Sequence, residues 1–596
     1  LIEAGKQKIP FTTGILIGIG ETRLDRLESL YEISKLHKQY NHIQEVIVQN
    51  FKPKPNTLMA NSPEPSFDEL IWTIAMARLI LPGDISVQVP PNLNVEHIKK
   101  LTVSGINDFG GISPVTKDYV NPEAPWPEIE KLGKLALYSN QSLVARTTLY
   151  PKYFANLNEF SSPSIASKLL NITDARSLIR SDNWKSGVSD NIPLYSKYTC
   201  NTNIQKTIQE VELNPSIDNL QRLLESNDKD FQYIVDYANN KKFETFGKDV
   251  SFVVNRNINY TNICSYKCNF CAFSKGRGHD DLRGQPYNIS HAEIVRRTKE
   301  AIDRGATEVC LQGGIHPKYT GRTYIEIVKS IRSVSSSVHI HAFSPLEIDH
   351  GRKTLNISSK EFLQELKNVG LNSLPGTAAE ILHDDIRSKI CPDKLTTSQW
   401  IEIIKTAHNV GLPSTSTMMF GHVENMSHVA HHLLKLNNLQ LETNGITEFV
   451  PLPFVADEAP IYRKGLARPG PTFKESILVH SVARILFNDK INNIQGSWVK
   501  MGLPGLKFLL TAGINDIGGV LMNESITRSA GAAFGQELFL EDVLKITDEL
   551  DLNLIQRNTL YHSMPNRIKD LIELQSIPLL PINNDYHKPK KIINSL

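Results

Sequence analysis

The sequence predicts an α/β protein organised as a TIM-like (β/α) barrel, complete in the C-terminal half of the chain and preceded by the back half of a duplicated barrel. Three observations predict it. The 596 residues exceed the ~250–300 at which a single core stops growing. The chain matches itself at a long, slowly drifting offset. Within the second copy, β-rich runs alternate with segments of helical periodicity.

The self-match sets the domain plan. Gly105-Ile106-Asn107-Asp108-Phe109-Gly110-Gly111-Ile112 recurs 408 residues later as Gly513-Ile514-Asn515-Asp516-Ile517-Gly518-Gly519-Val520. Gly18, Glu21, Glu45 and Phe51 recur 403 residues on as Gly421, Glu424, Glu448 and Phe454, and Ala77-Arg78 recurs as Ala483-Arg484 at 406. A steadily growing offset is what small loop insertions produce, whereas chance matches would scatter. The expected domains are 1–150, the back half of the first barrel; 151–245, a linker and helical lead-in; 246–545, a complete barrel; and 546–596, a C-terminal helix and loose tail.

In chain order, the Ser- and Asn-rich residues 156–171 read as linker, and 204–239, with apolar residues at three- and four-residue spacing, as a helical layer. Strands are expected at 250–259, 308–311, 338–343, 371–374, 415–420 and 446–450, with helices such as 292–304 and 359–369 between them. Gly305, Gly370 and Gly411 stand where left-handed helix caps would precede the next strand at the barrel floor. The opposite, C-terminal strand ends gather the polar and glycine-rich residues, where barrels keep their active sites. The tail beyond about 556, with the 588–591 lysine cluster, is expected to be loose.

Composition narrows the function classes. Lys plus Arg (65) nearly balance Asp plus Glu (63), which gives no reason to expect nucleic acid or an anionic membrane and favours small-molecule substrates. No apolar run reaches transmembrane length, so a soluble protein is expected. Six cysteines fall far below disulfide-scaffold density. Three crowd into eight positions while Cys200, Cys310 and Cys391 stand alone, which suggests a metal in a reducing, cytoplasm-like compartment. The chain opens on Leu1 without a readable targeting segment. Projected back by the repeat offset, Cys264 falls before Leu1, so the first copy is expected to lack its cysteine-bearing half.

After the first strand of the complete copy comes Cys264-Ser265-Tyr266-Lys267-Cys268-Asn269-Phe270-Cys271, a C-x3-C-x2-C run with an aromatic before the third cysteine. Three thiolates on one loop can each take an iron of a [4Fe–4S] cube and leave the fourth iron open. An open iron can chelate the amino and carboxylate groups of S-adenosylmethionine (SAM), whose sulfonium an electron then cleaves to a 5′-deoxyadenosyl radical. A zinc knuckle, which wants a fourth ligand, and three buried structural cysteines are the competing readings. The spacing resembles the radical SAM superfamily signature. That resemblance implies that Phe270 lies near the adenine and that Gln312-Gly313-Gly314, ending the second strand, lets backbone approach the amino-acid end of SAM. Cys310, alternating within that strand, reads as a small core residue.

Other candidates lie around the same mouth. Period two places His339, His341 and Phe343 on one face of their strand. Interior histidines are costly unless paired or used. His341, nearer the C-terminal end, is a candidate for handling a substrate or proton, or a satisfied core histidine. His339 and Phe343 are candidate substrate contacts, and Glu347 on the next loop is a candidate catalytic group. Thr377 and Glu380 could reach the SAM ribose or ammonium, or form a plain helix cap. Glu424 follows the fifth strand, as Glu21 does in the first copy, and is a candidate substrate contact.

The run Val254-Asn255-Arg256-Asn257-Ile258-Asn259-Tyr260-Thr261-Asn262-Ile263-Cys264, continuing through Cys271-Ala272-Phe273-Ser274-Lys275, resembles the second half of the FO synthase family. Gly14-Ile15-Leu16-Ile17-Gly18-Ile19-Gly20-Glu21-Thr22 and Gln49-Asn50-Phe51-Lys52 resemble the rear of its first half. The resemblance implies a second barrel that uses SAM, tyrosine and 5-amino-6-(D-ribitylamino)uracil. Tyrosine Cα–Cβ cleavage would release a 4-hydroxybenzyl group that joins the uracil, with electrons from an external donor. It implies a first barrel that closes the ring of the 5-deazaflavin FO, a step that also needs a cluster. No C-x3-C-x2-C precedes residue 264, so this chain is expected to couple but not to complete FO. A menaquinone-route futalosine-type enzyme resembles this half more weakly, and a non-catalytic iron–sulfur or zinc scaffold is the rival from another class.

Overall fold

The structure is a computed structural model that describes residues 1–582 apart from Pro114, Asn140, 196–201 and 276–284. Cys200 and the 588–591 lysine cluster therefore lie outside the described residues. The chain divides into two compact units. Unit 1 comprises Leu1–Leu169 with Ser177–Ile179, and unit 2 comprises Leu170–Arg176 with Arg180–Leu596. The 156–171 stretch is not a loose linker, for it folds into helices Leu157–Phe160 and Pro163–Ile172. Ser162 precedes Pro163 at the second helix's first position, a residue order that favours helix entry.

Unit 1 is a parallel sheet of β1 (Phe11–Ile17), β2 (Ile43–Asn50) and β3 (Ser86–Gln88) in that order. The connecting helices are Arg23–Tyr40 and Phe67–Ile80. Asp108 bridges to Gln88, marking a fourth strand position. Val46, Val48, Val87, Leu30 and Ile74 form the core between sheet and helices.

Unit 2 begins with helices Thr202–Leu213, Ile217–Leu224 and Asp228–Phe246, the helical layer expected from the periodicity. Its strands are β4 (Asp249–Val253), β5 (Asn255–Asn259), β6 (Glu308–Gln312), β7 (His339–Ala342), β8 (Ser414–Phe420), β9 (Ile446–Pro453), β10 (Asn493–Ile494), β11 (Asp516–Gly519) and β12 (Asn553–Gln556). The expected strand at 250–259 is two. β4 pairs with β11 and β12, whereas β5 pairs with β6, so the chain changes partners at Val254. The expected strand at 371–374 is reduced to single parallel bridges, His341 to Ser373 and Leu374 to Ser414.

Those bridges close the barrel. The parallel order runs β5, β6, β7, the Ser373-Leu374 bridge, β8, β9, β10 and β11. It returns to β5 through Gln495 with Asp516 and Arg256 with Met522, giving the eight positions of a (β/α)8 barrel. Helices His291–Asp303, Gly321–Arg332, Ser359–Asn368, Thr397–Asn409, Met426–Thr443 and Phe473–Phe487 surround it. Gly305, Gly370 and Gly411 carry φ of +82°, +114° and +77°, the left-handed conformation that ends a helix before the next strand.

Two segments expected to be peripheral are built into this unit. After β12, Arg557 and Thr559 are buried, and helix Ile568–Gln575 packs Leu571 into the core, so the described part of the tail is not loose. Residues 180–187 strap the barrel mouth. Arg180 donates to the Gly470 and Pro471 carbonyls, Ser186 Oγ to Pro453 O at the end of β9, and Gly187 N–H to Lys500 O at 2.6 Å.

Candidate active site at the barrel mouth

The cysteine loop leaves β5 at its C-terminal end and is held at several points. Asn269 N–H donates to Ile390 O (2.8 Å), its side-chain amide to Lys389 O (2.8 Å), and Lys267 N–H to Asp393 Oδ2 (2.8 Å). The turn closes through Cys271 N–H to Cys268 O, and Ile461 N–H donates to Asn269 O. Backbone N–H groups also point at sulfur: Ile315 to Cys264 Sγ and Ser274 to Cys271 Sγ, each at 3.3 Å. Such donors hold thiolates and tune a cluster's potential. Burial pushes the free thiols of Cys268 and Cys271 up, against the opposing charge of Lys394. They are poised to ionise on metal rather than in its absence.

This donor set fits a [4Fe–4S] cluster. Three soft thiolates sit on one buttressed loop, with N–H donors aimed at two of them. Among the described residues no group of three or more His, Cys, Asp or Glu side chains is placed to share one metal ion. A zinc site needs that convergence; a cube, whose thiolates each take a different iron, does not.

Gly313 and Gly314 owe their small size to this loop. A Cβ on Gly314 would lie 2.4 Å from Ile263 O and 3.0 Å from Cys264 Cβ, and one on Gly313 would lie 2.3 Å from the Tyr260 ring. Gly314 N–H donates to Thr261 O at 2.8 Å. The two glycines let β6 lie directly under the cysteines. Gln312, which ends β6, is half-buried and carries the hydrogen-bonding partner of the Cys310 thiol.

Glu347 is not free for catalysis as the sequence suggested. It is the third residue of helix Pro345–Leu355 and closes a capping box with Ser344. It also accepts from the Tyr260 hydroxyl and the Gly313 backbone. Burial outweighs these bonds and raises its pKa. Its place is to tie the Gly313 turn to the aromatic layer. Phe343 likewise leaves the expected face. β7 ends at Ala342, and Phe343 has φ +66°. That conformation breaks the alternation and buries the ring against Tyr324 and Tyr260, 5.0 and 6.4 Å away between centroids.

Thr377 caps no helix, since the next one begins only at Asp384. Its carbonyl accepts from Trp400 Nε1 at 3.1 Å. Glu380, at φ +48°, pairs with Lys394 Nζ at 2.9 Å, and that ammonium stands 5.1 Å from the Phe270 ring centroid. Glu380, Lys394 and Phe270 thus form one wall beside the cysteines.

His339 and His341 do share the lumen face of β7. His339 Nε2 and His341 Nδ1 each lie 2.7 Å from Ser373 Oγ. Burial, opposed by Glu308, lowers the pKa of His341 and takes His339 to about 4, so both rings are neutral at physiological pH. Cys310 is on this face too and not in the helix-facing core: Glu308, Cys310 and Gln312 alternate with Val309 and Leu311, which are fully buried on the other side.

Glu424 is occupied by structure. It accepts from the Gly421 and His422 N–H groups at 2.6 and 2.9 Å and pairs with Arg468 at 3.1 Å. Burial favours its neutral form, but His422, Arg468 and the backbone donor hold it well below the usual carboxylate range. Arg468 also pairs with Glu475. In unit 1, Arg26 bridges Glu21 and Glu69 in the same way, which argues for a scaffolding role in both.

Sequence reasoning missed two features. Below the lumen, Arg557 pairs with Asp516 and Glu448, and Tyr561 donates to Glu448. Arg146, Asp108, Glu45 and Tyr150 repeat that quartet in unit 1. The signal was legible as Arg146-Thr147-Thr148-Leu149-Tyr150 against Arg557-Asn558-Thr559-Leu560-Tyr561, 411 residues apart. The other is Lys500, one turn beyond β10, which no motif marks.

Residues 258–436 match the model of the Radical SAM superfamily, and residues 443–562 that of the CofH/MqnC C-terminal region. With the cysteine loop at the mouth of a closed barrel, unit 2 is of the radical SAM enzyme class, which works with a [4Fe–4S] cluster and SAM. The FO synthase of Nocardia farcinica (strain IFM 10152) is 39% identical over 95% of this chain and 72% of its own length, and that of Mycobacterium leprae (strain TN) 38% over 94% and 70%. The chain belongs to the FO synthase family. The 5-amino-6-(D-ribitylamino)uracil–L-tyrosine 4-hydroxyphenyl transferase of Methanopyrus kandleri is 45% identical over 54% of this chain and 87% of its own. Among solved structures, methylornithine synthase aligns with a TM-score of 0.45 at 17% identity, covering 62% of this chain and 99% of that one. No helix among the described residues is long and apolar enough to cross a membrane.

Proposed function

We propose that unit 2 couples a tyrosine-derived 4-hydroxybenzyl group to 5-amino-6-(D-ribitylamino)uracil, and that unit 1 corresponds to the rear of a ring-closing lyase barrel. The observation that supports this reading is the Cys264, Cys268 and Cys271 loop, seated on Gly313-Gly314 in the unit that carries both the Radical SAM and the CofH/MqnC C-terminal matches. When bound there, a cluster with an open iron and SAM supply a 5′-deoxyadenosyl radical.

The chain's own residues do the rest. Cys264, Cys268 and Cys271 hold the iron; Gly313-Gly314, Thr377, Glu380 and Phe270 line the SAM side; the Ser373-anchored His341 faces the lumen as a neutral group able to relay a proton. The strap at 180–187 helps exclude water from the mouth. Electrons come from an external donor. The 596 residues contain one C-x3-C-x2-C, and the coupling step is the one this reading assigns to it. Anaerobically reconstituted protein given SAM, dithionite, tyrosine and the diaminouracil should accumulate the coupled adduct and 5′-deoxyadenosine. Formation of fluorescent FO by this polypeptide alone, or 5′-deoxyadenosine without adduct, would refute it.

A further inference from the structure

The lumen of unit 2 is built in polar rows. Register aligns Asn255, Glu308 and His339 across β5, β6 and β7, and Asn257, Cys310 and His341 one row above, toward the mouth. Strand alternation turns these side chains inward, since Val309, Leu311 and Ile340 between them are fully buried on the other face. Ser373 joins the two rows. It sits at the neighbouring strand position in a parallel bridge to His341, with Ala342 N–H donating to Ser373 O at 3.0 Å. Its hydroxyl is 2.7 Å from His339 Nε2 in the lower row and 2.7 Å from His341 Nδ1 in the upper.

One hydroxyl with two ring partners imposes a constraint. A serine hydroxyl has a single proton, so it donates to one ring and accepts from the other. Burial keeps both rings neutral, and each then has one N–H and one bare nitrogen. Their tautomers are therefore locked together. If His341 Nδ1–H donates to Ser373 Oγ, the hydroxyl donates to His339 Nε2, His339 carries its proton on Nδ1, and His341 Nε2 is bare. Reversing both bonds leaves His341 with Nε2–H and His339 with a bare Nδ1. Among the described residues the outer nitrogens, His339 Nδ1 and His341 Nε2, have no hydrogen bond, and neither is sealed from water-sized space. Ser373 itself is 3% exposed, so the link between the rings runs through the hydroxyl and not through solvent.

Switching between the two arrangements moves a proton and leaves no charge behind. A ligand group gives its proton to His341 Nε2, His341 Nδ1–H passes to Ser373 Oγ, the hydroxyl proton passes to His339 Nε2, and His339 Nδ1–H leaves to water. One proton enters and one departs. Exchange with water resets the chain once the lumen empties. Coupling supplies the proton: a benzyl radical added to the neutral uracil becomes a neutral, closed-shell adduct only by giving up one electron, to a one-electron carrier, and one proton. Charge in a buried interior is costly, and a chain of neutral groups disposes of the proton without placing one there.

We propose that Ser373 and His339 are positioning residues that complete a proton relay behind His341, running from the reacting ligand in the lumen to the barrel floor; this rests on the coupling reading above. The test compares Ser373→Ala, Ser373→Thr and His339→Gln in the reconstituted full chain. Ser373→Ala should lower kcat for the adduct about 100-fold, the low end of what a positioned proton carrier contributes, and move KM for either substrate by less than about twofold. Ser373→Thr keeps the hydroxyl and should recover most of that rate. His339→Gln offers Ser373 a partner whose amide passes no proton, and should fall as far as Ser373→Ala. Ring-15N spectra of the histidine-labelled chain read the link without turnover: His339→Gln should shift the His341 tautomer ratio, and in the Ser373→Ala background should not. Full kcat in His339→Gln, or a His341 tautomer ratio indifferent to His339, would overturn the relay while leaving the coupling reading intact. Absence of adduct from the unsubstituted chain would overturn both.

Discussion

The two units keep the same floor and differ at the mouth. Each floor joins one arginine to two acids and a tyrosine, Arg146 with Glu45, Asp108 and Tyr150 in one and Arg557 with Glu448, Asp516 and Tyr561 in the other. In each, an arginine also brackets the Gly-Ile-Asn-Asp turn: Arg78 reaches Gly105 O and Asn107, and Arg484 reaches Gly513 O and Asn515. The acid pairs Glu21 with Glu69 and Glu424 with Glu475 persist, yet their arginine comes from a helix in unit 1 (Arg26) and from a loop in unit 2 (Arg468). Above that level the likeness stops. Asparagines follow β3 where Lys500 follows β10, and β1 alternates between exposed and half-buried residues where β8 is buried almost throughout. The charge networks of the two floors correspond residue for residue, and the turns after β3 and β10 do not.

The floors offer the largest test of that contrast. Arg557 and its acids are 5%, 0% and 11% exposed, against 21% for Arg146. Arg557→Met strands two buried carboxylates and should cost about 3–5 kcal/mol. Arg146→Met, whose site is wetter, should cost about 1–3 kcal/mol. Hydrogen exchange of β4 and β11 in the first variant and of β2 and β3 in the second, measured in the full chain, reads the two separately. Equal effects would mean that the floors are not ranked by burial.

At the mouth, Gly314→Ala places a methyl 2.4 Å from Ile263 O. Overpacking of this kind costs about 1–3 kcal/mol, and here it falls on the cysteine loop. Iron content after reconstitution should drop while unit 1 melts unchanged. Full iron loading would show that the loop has room to shift.

The smallest effect concerns helix caps. Thr22 and Asn425, 403 residues apart, cap the helices that follow β1 and β8. Replacing either by Ala should cost about 1 kcal/mol. Similar losses, read by exchange in helices Arg23–Tyr40 and Met426–Thr443, support equivalent roles; a loss in one alone breaks the equivalence.

Much of this was legible in the sequence because it depends on local spacing. C-x3-C-x2-C fixes three donors on one loop, and glycines before strands announce helix ends, as Gly305, Gly370 and Gly411 do. What was not legible depends on long-range partners or on a break in periodicity. The repeat marks Arg557 and Tyr561, but not their partners: Arg557 meets Asp516 and Glu448 across 41 and 109 residues, with nothing local to join them. β10 spans two residues, too few for alternation to register. Phe343 was misplaced because a left-handed residue ends the period of two, and Glu347 because a capping box and an available acid have the same sequence pattern.

The account's central claim is that Cys264, Cys268 and Cys271 bind a cube with one iron open to SAM. Electron paramagnetic resonance of the dithionite-reduced, anaerobically reconstituted chain, with and without SAM, tests it most directly. The account predicts about four irons per chain, a reduced-cluster signal that SAM perturbs, and loss of both in Cys268→Ala. A signal indifferent to SAM, or a full cluster in Cys268→Ala, would contradict it.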